Sequence, residues 1–573
     1  MRILNIIKLS TLSMIASSCL FGVNLPNIDS IQKSIEVPKE IEDIQKAKQE
    51  PIIEIGKKEL APALSDDKSG KTIIVDDVQI EGNSVIDANE LKQLLQNSIK
   101  QELTFSKLQE LASIITKHYR QKGYFVARAY IPRQDIKANN NTLKIVIIEG
   151  SYGDFRLTNN SLNNNETVQA MFDDAKHRCN VVSVDTLERA MLIINEAPGS
   201  IVTQADVAPG KIVGTSDFIV KTEKSNRFGG YIVADNSGSK YTSQNRIMGG
   251  VTINSPRGYA DKLSLTGLVS EDKHLENYKI AYSIPLAPNG LRMELSRSKT
   301  DYELVELDNI EDKTMNGTSS ANEVVFSYPI IKTKNQSLNF LASYDLKYMS
   351  DYNNEDITKQ KKVKVGTFGL NYSKNHSMFG FDAKSTIDGT FTFGDLDILD
   401  ESSRTADEAG AQTIGDYQKI NINASLNIAF NPIYSLQTSI KSQIALDNKN
   451  LDGSEDISIG GTAGVRAYPD GEYSAENGVI FQATLFGNIK SLNTTNTTHK
   501  LGVFYDVGTA DMSDSSKDIE FKRRTLQDAG IGYYLNHKDM FAKVEYARTI
   551  GSKIQTEHIG DDSRVILQAG WVF

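Results

Sequence analysis

Residues 418–430, QKININASLNIAF, alternate apolar and polar side chains along their length. The apolar set is Ile420, Ile422, Ala424, Leu426, Ile428 and Phe430, and the polar set is Asn421, Asn423, Ser425 and Asn427. Successive side chains of a β-strand point to opposite faces, so this stretch predicts a strand with one apolar and one wet face. Strands of soluble sandwiches average ~5 to 6 residues and tilted membrane strands are longer, so the length favours a membrane barrel.

The same pattern recurs before and after this stretch. Residues 338–348 alternate leucine, phenylalanine, alanine and tyrosine with largely polar side chains, and residues 564–573 end the chain in the same way. From residue 228 to residue 573 we predict about sixteen such strands, with no stretch that favours a long helix.

Loop lengths set the orientation of this predicted barrel. The connections at 332–336, 431–433 and 536–539 are short, whereas those at 303–320 and 394–416 are long and acidic. Outer-membrane barrels have short periplasmic turns and long external loops. With an even strand count, both ends of the barrel would face the periplasm.

A glycine-rich stretch, GGTAGVRAYPDGEYSAENG at residues 460–478, interrupts the strands. It lies between alternating runs at 434–447 and 479–488. The pattern therefore predicts a long hairpin loop that contains no strand and carries one arginine, Arg466.

Asp506 is the predicted partner of this arginine. One face of its run carries Leu501, Val503, Tyr505 and Val507, and the other carries Gly502, Phe504, Asp506 and Gly508. If the apolar face meets lipid, Asp506 points into the lumen, where a loop folded inward could bring Arg466 to it. The alternative is an exposed loop arginine.

Length and composition narrow the class of protein. A chain of 573 residues is long enough for two or more domains. Its net charge of -10, without a basic stripe, argues against a nucleic-acid partner. No apolar run reaches the ~18 residues of a membrane-spanning helix, which excludes helical membrane proteins only.

Residues 1–23 predict a cleaved secretory signal. Arg2 and Lys8 form its basic start, and the apolar run LSTLSMIASSCLFGV follows. A lipoprotein site at Cys19 is the alternative. After cleavage Cys179 is the one cysteine left of the two in the sequence, so no intramolecular disulfide is possible.

The segment 24–71 contains short amphipathic stretches broken at Pro38, followed by a charged linker with further prolines. It predicts either a disordered leader or a helix that docks elsewhere in the chain.

Two copies of a small α/β unit follow this segment. In the first copy, predicted strands lie at 73–80, 125–131 and 143–148 and predicted helices at 87–97 and from Ser106 to Gly123; in the second, strands lie at 154–158, 201–208 and 217–221 and helices near 168–172 and 183–194. Asp87 and Ser106 are predicted N-caps because Glu90 and Gln109 follow at capping-box spacing. The repeated order indicates a tandem array. Each copy has an edge strand that could bind an extended partner by main-chain hydrogen bonds, unless these edges are covered.

Motifs for catalysis are missing from the sequence. Residues 65–72, SDDKSGKT, lack the first glycine of a phosphate loop, and neither HExxH nor GxSxG occurs. His118 belongs to the half-buried face of a predicted helix rather than to a ligand set. We therefore predict no enzyme activity, no catalytic residue, no metal site and no cofactor.

The order of these parts resembles the TpsB transporters of two-partner secretion, in the superfamily that also contains the barrel-assembly insertases. The residues that carry the resemblance are IVIIEGSYG (145–153), INEAPGS (194–200), ADVAPG (205–210), GTSDFIV (214–220), VRAY (465–468), FYD (504–506) and the terminal WVF. The family motif in the loop is VRGY or VRGF. Ala467 departs from it, which raises a question about the local backbone of the loop.

The resemblance implies a mainly β fold, with a sixteen-stranded antiparallel transmembrane β-barrel preceded by two periplasmic α+β POTRA domains and an N-terminal plug helix with its linker. The implied bounds are 1–23 for the signal peptide, 24–71 for the plug helix and linker, 72–150 and 151–224 for the POTRA domains, and 225–573 for the barrel, with the loop 450–478 folded into the lumen. The implied site is the loop motif Val465, Arg466, Ala467 and Tyr468, with Phe504 and Asp506 as its partners on the barrel wall. Passenger contact is expected at Phe125, Ala127, Ala129 and Ile131.

The implied function is an outer-membrane pore, with porin activity, that recognises an unfolded exoprotein through its POTRA domains and moves it to the cell surface without ATP. The expected partners are a secreted TpsA-type exoprotein, a β-helical hemolysin or adhesin, and the outer-membrane lipids of a Gram-negative cell, with a monomeric barrel. An outer-membrane assembly insertase is the alternative. A surface enzyme such as a barrel hydrolase is a third hypothesis, but it lacks any nucleophile motif.

Overall fold

The computed structural model describes residues 40, 41, 44, 72–305, 315–354, 356–514, 516, 523–556 and 560–573. Two small α/β units precede a closed barrel that begins at residue 228 and ends at residue 572. The predicted signal peptide, 1–23, and nearly all of the predicted plug helix and linker, 24–71, lie outside the described residues.

The first unit packs two helices against a three-stranded sheet. Its elements are β1 Thr72–Ile74, β2 Asp77–Glu81, α1 Ala88–Leu95, β3 Glu102–Thr104, α2 Phe105–Gln121, β4 Arg128–Tyr130 and β5 Thr142–Ile148. In the sheet β2 runs parallel and β4 antiparallel to the central β5, while β1 and β3 pair separately. Leu108, Leu111 and Ile115 of α2 pack with Leu143 and Ile145 of β5 in one buried core, as their helical and alternating spacings predict.

Three details of this unit correct the prediction. The expected strand 73–80 is two strands, because β1 and β2 pair with different partners. Thr104, instead of Ser106, caps α2, since its hydroxyl accepts the Lys107 N–H at 3.4 Å. The expected strand 125–131 is limited to the three residues of β4.

The second unit repeats this arrangement. Its elements are β6 Ser151–Asn160, α3 Asn165–Arg178, α4 Val184–Glu196, β7 Ser200–Pro209 and β8 Thr215–Lys224. Again one edge strand, β6, runs parallel and the other, β7, antiparallel to the central β8. Phe155 stacks on Phe172 and Phe218 in its core. Helix α3 is longer than predicted because Asn164 caps it, accepting the Thr167 N–H at 2.8 Å.

Sixteen antiparallel strands close the barrel, as predicted. They are β9 Phe228–Asp235, β10 Arg246–Asn254, β11 Lys262–Ser270, β12 Leu275–Pro285, β13 Arg292–Leu304, β14 Met315–Lys332, β15 Gln336–Asn353, β16 Asp356–Met378, β17 Phe381–Ile398, β18 Gly415–Ala429, β19 Tyr434–Ala445, β22 Asn477–Asn488, β23 Thr497–Asp511, β24 Arg524–His537, β25 Met540–Thr549 and β26 Ser563–Val572. Strands β20 Ile457–Ser458 and β21 Ser474–Ala475 lie in a loop between β19 and β22, and helix α5 Glu401–Ala409 lies in the loop before β18. The last strand, β26, pairs with the first, β9, and completes the ring.

Within the part of the chain that the structure describes, no helix is both long and apolar enough to cross a bilayer.

The predicted alternation decides which side chains face the lumen. On β18 and its neighbour β19, Ile422 and Ile440 are half exposed on the outer face. Asn421 points the other way and donates to the Gln443 side chain at 2.8 Å. The outer face is therefore apolar and the inner face polar, which is the pattern of a membrane barrel.

The second unit docks on the short-turn side of the barrel. Asn163 accepts the Ala260 main-chain N–H at 2.8 Å and donates to the Pro198 carbonyl at 3.0 Å. Lys332, at the end of β14, forms an ion pair with Glu196 of α4. The contacts with Ala260 and Lys332 join the unit to the turn after β10 and to the end of β14.

Candidate functional site

The connection between β19 and β22, residues 446–476, folds back into the barrel and is called the inserted loop below. Its motif residues Val465, Ala467 and Tyr468 are fully buried in a cluster with lumen-facing side chains of the wall. The two arms of the loop pair through β20 and β21. The prediction that residues 460–478 contain no strand is therefore corrected, because Ser474–Ala475 forms a short strand against residues 457–458.

Arg466 extends from this loop to the lumen-facing wall. Its guanidinium donates to both carboxylate oxygens of Asp506, at 2.7 and 3.0 Å, and to Glu545 at 2.8 Å. A further bond reaches the Thr484 hydroxyl at 3.1 Å. Its planar group lies 3.7 Å from the centre of the Phe504 ring. The predicted pair is thus brought together, with two contacts that were not predicted, from Glu545 and Thr484.

Planarity explains why arginine suits this position. A guanidinium can form two parallel hydrogen bonds with one carboxylate, stack on a ring and still direct another donor elsewhere. Here it does all three, to Asp506, Phe504 and Glu545. The side chain is only 9% exposed, so the charge is compensated by these contacts and not by bulk water.

Ala467 replaces the glycine of the family motif without strain. It lies outside the positive-φ region that favours glycine, and its methyl group is buried in the cluster around the loop. Its main-chain N–H donates to Asp528 at 2.5 Å. Asp506, Asp528 and Glu545 on β23, β24 and β25 thus form one acidic patch against the loop motif, and the backbone of the loop tolerates alanine.

Loop residues further along the chain contact the segment between β25 and β26. The Tyr468 hydroxyl donates to the Ser552 carbonyl at 2.5 Å. Glu472 pairs with Arg524 and accepts the Thr556 N–H at 3.1 Å. The inserted loop is therefore joined to the external loop after β25 as well as to the wall.

A second set of ion pairs, missed by sequence reasoning, joins the start of the loop to the wall. Asp452 pairs with Lys361 at 2.8 Å, and Glu455 pairs with Lys347 at 3.1 Å and with Lys419 at 2.8 Å. The run KQKKVK, residues 359–364, carried a signal for this set, because its alternation directs Lys359 and Lys361 to the lumen.

Helical residues 40, 41 and 44, from the predicted plug segment, lie against the barrel interior. Ile41 is 0% exposed and packs in the cluster that contains Val233 of β9 and Phe541 of β25. Glu40 pairs with Lys543 at 3.2 Å. These contacts place part of the leader inside the ring of strands.

The four residues expected to meet a passenger are not an exposed edge. Ala127 and Ala129 are buried in the core of the first unit, and Ile131 packs against that core. Phe125 packs against the core of the second unit. The reason is that α2 covers this face of β4, and the Thr116 hydroxyl of α2 accepts the Ala129 N–H at 2.9 Å. This corrects the expectation of an exposed edge.

Among the described residues, no group of three or more histidine, cysteine, aspartate or glutamate side chains could hold a metal ion.

Comparisons with known proteins agree on one family. Residues 214–534 match the model of the haemolysin secretion/activation protein family ShlB/FhaC/HecB, and residues 73–150 match the ShlB-type POTRA domain. The heme/hemopexin transporter protein HuxB of Haemophilus influenzae is 26% identical over 553 residues, which cover 95% of each chain.

Two solved structures share the fold. CdiB from Escherichia coli superposes with a TM-score of 0.72 at 20% identity, over 94% of this chain and 99% of that one. CdiB from Acinetobacter baumannii gives a TM-score of 0.63 at 14% identity, over 94% of this chain and 100% of that one. Since the family model spans more than half of the sequence, this chain belongs to the haemolysin secretion/activation family and is an outer-membrane transporter of two-partner secretion, with its POTRA units in the periplasm.

Proposed function

We propose that the POTRA pair receives an unfolded TpsA-type exoprotein, a β-helical hemolysin or adhesin, and that the lumen passes it to the cell surface. Transporters of this family work with secreted exoproteins. The observation that carries the proposal is the inserted loop, whose Arg466 is buried against the wall of a closed barrel. Such a pore is closed at rest, so transport requires the loop to move.

The loop motif is the proposed control point of transport. The buried side chains of Val465, Ala467 and Tyr468 would hold the loop in position by packing against the wall. Arg466 would bind the loop to Phe504 and Asp506 on the wall. Passenger contact with the segment from Phe125 to Ile131 would use the outward side chains of β4, because the four residues first expected there face the cores.

Energy for transport would come from folding of the passenger outside the cell, without ATP. The chain carries no HExxH, GxSxG or complete phosphate-loop motif, which supports a transporter that is not also an enzyme. All sixteen strands close within one chain, which supports a barrel that is monomeric in the outer-membrane lipid.

The remaining domain bounds are part of the same proposal. We place a signal peptide at 1–23, the plug helix and its linker at 24–71, the POTRA domains at 72–150 and 151–224, and the barrel at 225–573. The buried cores of the two units and the single ring of strands support the last three divisions.

Passenger recognition is tested by competition. A fragment of residues 72–224 contains both complete POTRA cores. Exported to the periplasm of cells that secrete the cognate exoprotein, it is expected to bind the exoprotein's amino-terminal domain and to lower secretion several-fold. The matched control is residues 151–224 alone, which form the second unit and lack β4. Normal secretion by a barrel that lacks residues 72–224 but still inserts would overturn the proposal.

Deletion of residues 27–48 is expected to raise ion conductance while secretion continues. Ile41 is buried against the inner wall and Glu40 pairs with Lys543, so their removal would empty part of the lumen. Single-channel recordings in planar bilayers measure the change, and deletion of residues 57–68, in the linker, is the control. Unchanged conductance after the longer deletion would remove the plug assignment.

A further inference from the structure

We propose that Asp452 and Glu455 of the inserted loop, with Lys347, Lys361 and Lys419 of the wall, form a second attachment that keeps the extracellular mouth closed. This set is called the mouth latch below. It rests on the proposed function, in which the inserted loop moves to open the pore. It adds positioning residues that are separate from the Arg466 site.

Asp452 has two roles in this latch. Its carboxylate accepts the Ser454 N–H at 3.2 Å and the Ser454 hydroxyl at 2.8 Å, which caps the 3-10 turn Gly453–Glu455. The same oxygen atom, Oδ1, accepts Lys361 Nζ at 2.8 Å. The two side chains are only 6% and 4% exposed. A local cap thus orients the carboxylate toward one buried lysine.

Glu455, at the end of that turn, binds the neighbouring strands. Its carboxylate meets Lys347 of β15 and Lys419 of β18, and its carbonyl oxygen accepts Lys419 Nζ at 2.7 Å. Gln443 of β19 donates to the carbonyls of both Glu455, at 2.8 Å, and Glu476, at 2.9 Å. The start and end of the inserted loop are thereby joined at its base.

The mouth latch lies on a different part of the wall from the Arg466 site. Its lysines belong to β15, β16 and β18, whereas the acidic patch belongs to β23, β24 and β25. In the register of the strands, Lys361 lies opposite Ile398 and Lys419 lies opposite Ala445. Ile398 and Ala445 are the last residues of β17 and β19, at the external end of the barrel. Asp506 pairs with Gln482 in the middle of β22. The two attachments therefore act at different depths.

The polarity of the two attachments is reversed. At the Arg466 site the loop supplies the cation and the wall the acids, and in the mouth latch the loop supplies the acids and the wall the cations. Neutralising one partner of a buried pair removes part of the compensation of the other charge, which is unfavourable. Movement of the loop away from the wall would hydrate that charge. Variants of the latch should therefore open the mouth without touching Arg466.

Planar-bilayer recordings of the full chain test this directly, because they need no exoprotein. Asp452→Asn and Lys361→Gln are each expected to raise the open fraction about tenfold, which corresponds to about 1.4 kcal/mol. The exchanged pair Asp452→Lys with Lys361→Asp should return the open fraction toward the original value. Lys362→Gln is the matched control, because Lys362 follows Lys361 in the chain but its side chain points to the outer face. There its Nζ lies 5.5 Å from the centre of the Tyr348 ring.

Two outcomes overturn the latch. One is an open fraction that does not change in Asp452→Asn, and the other is an exchanged pair that opens no less than its single variants. If a lysine variant does not assemble, Asp452→Glu replaces it, because this change keeps the negative charge of the loop. Asp452→Glu should open less often than Asp452→Asn, and equal open fractions in these two variants contradict the latch. Loss of exoprotein binding would overturn the proposed function and leave these recordings unaffected.

Discussion

Replacing Arg466 with alanine is expected to abolish most secretion while the barrel still inserts. The change leaves Asp506 and Glu545 without their shared cation, next to Asp528 and in a site closed to bulk water. An uncompensated buried charge costs ~3 to 5 kcal/mol. Even the lower figure would reduce the docked fraction of the loop about a hundredfold. We propose that the docked loop is the secretion-competent starting position, from which the passenger displaces it, so a pore whose loop is undocked is open to ions but does not secrete.

Asp506→Ala is expected to impair secretion less than Arg466→Ala. After this change the guanidinium keeps Glu545 at 2.8 Å as a counter-ion, so the remaining charge is partly compensated. The double variant should lose much less than the two single losses combined, because the second change removes the charge that the first one leaves unpaired. Arg466→Lys should also fail, since one ammonium cannot reproduce the bidentate contact and the stacking on Phe504.

Secretion is measured as the amount of exoprotein in the medium. Insertion is measured by gel electrophoresis, in which the folded barrel migrates differently before and after heating. Arg523→Ala is the matched control, because Arg523 also pairs with an aspartate, Asp511, but its side chain is 70% exposed. Such exposed pairs contribute little. Losses that add in the double variant, or normal secretion by Arg466→Lys, would show that this contact does not position the loop.

Period-two alternation explains how much of the barrel could be predicted. It assigns a face to every residue of a strand, so Asp506 could be placed in the lumen from its neighbours alone. The same rule applies to Glu545, which lies between the outward Val544 and Tyr546, and that signal was available. The pattern alone does not show which inward acids share one cation, because their strands are adjacent only after the ring closes.

The mouth latch was harder to predict for a related reason. Lys361 and Asp452 are 91 residues apart, and an alternating lysine run is equally consistent with a solvated rim. The prediction of an exposed edge in the first POTRA unit was wrong for a different reason. Small apolar residues such as Ala127 and Ala129 fit both an exposed edge and a face covered by a helix. The sequence predicts the helix from Ser106 to Gly123 but not that it packs over this strand.

Replacing Arg189 with alanine is expected to uncouple the second POTRA unit from the barrel and to lower secretion strongly. Arg189 of α4 is 7% exposed and donates to the main-chain carbonyls of Asn289, in the turn after β12, and of Pro329 and Ile330, near the end of β14. Burial, together with the nearby Arg178, lowers the pKa of Arg189. No other residue type offers as many directed donors from one side chain.

A bulge in the barrel creates the site that this arginine fills. The pairing of β14 with β15 shifts register between Pro329 and Ile331, which turns carbonyl groups out of the regular ladder. A hydrogen bond from a charged donor contributes ~1.5 to 3 kcal/mol, and a buried carbonyl without a donor is costly. Losing one such bond would already lower the docked fraction of the unit about tenfold.

Trypsin cleavage between residues 224 and 228 measures the uncoupling, since this junction contains Lys224 and Arg227. Arg189→Ala should be cut faster there while the barrel stays folded, and Arg189→Lys should be intermediate because one ammonium can satisfy only part of the three carbonyls. Arg156→Ala is the control, as Arg156 belongs to the same unit but its side chain is 57% exposed. Secretion should fall in the order of the cleavage rates. Rapid cleavage with normal secretion would show that a rigid junction is not needed for transfer, and equal cleavage in all variants would show that Arg189 does not fix the unit.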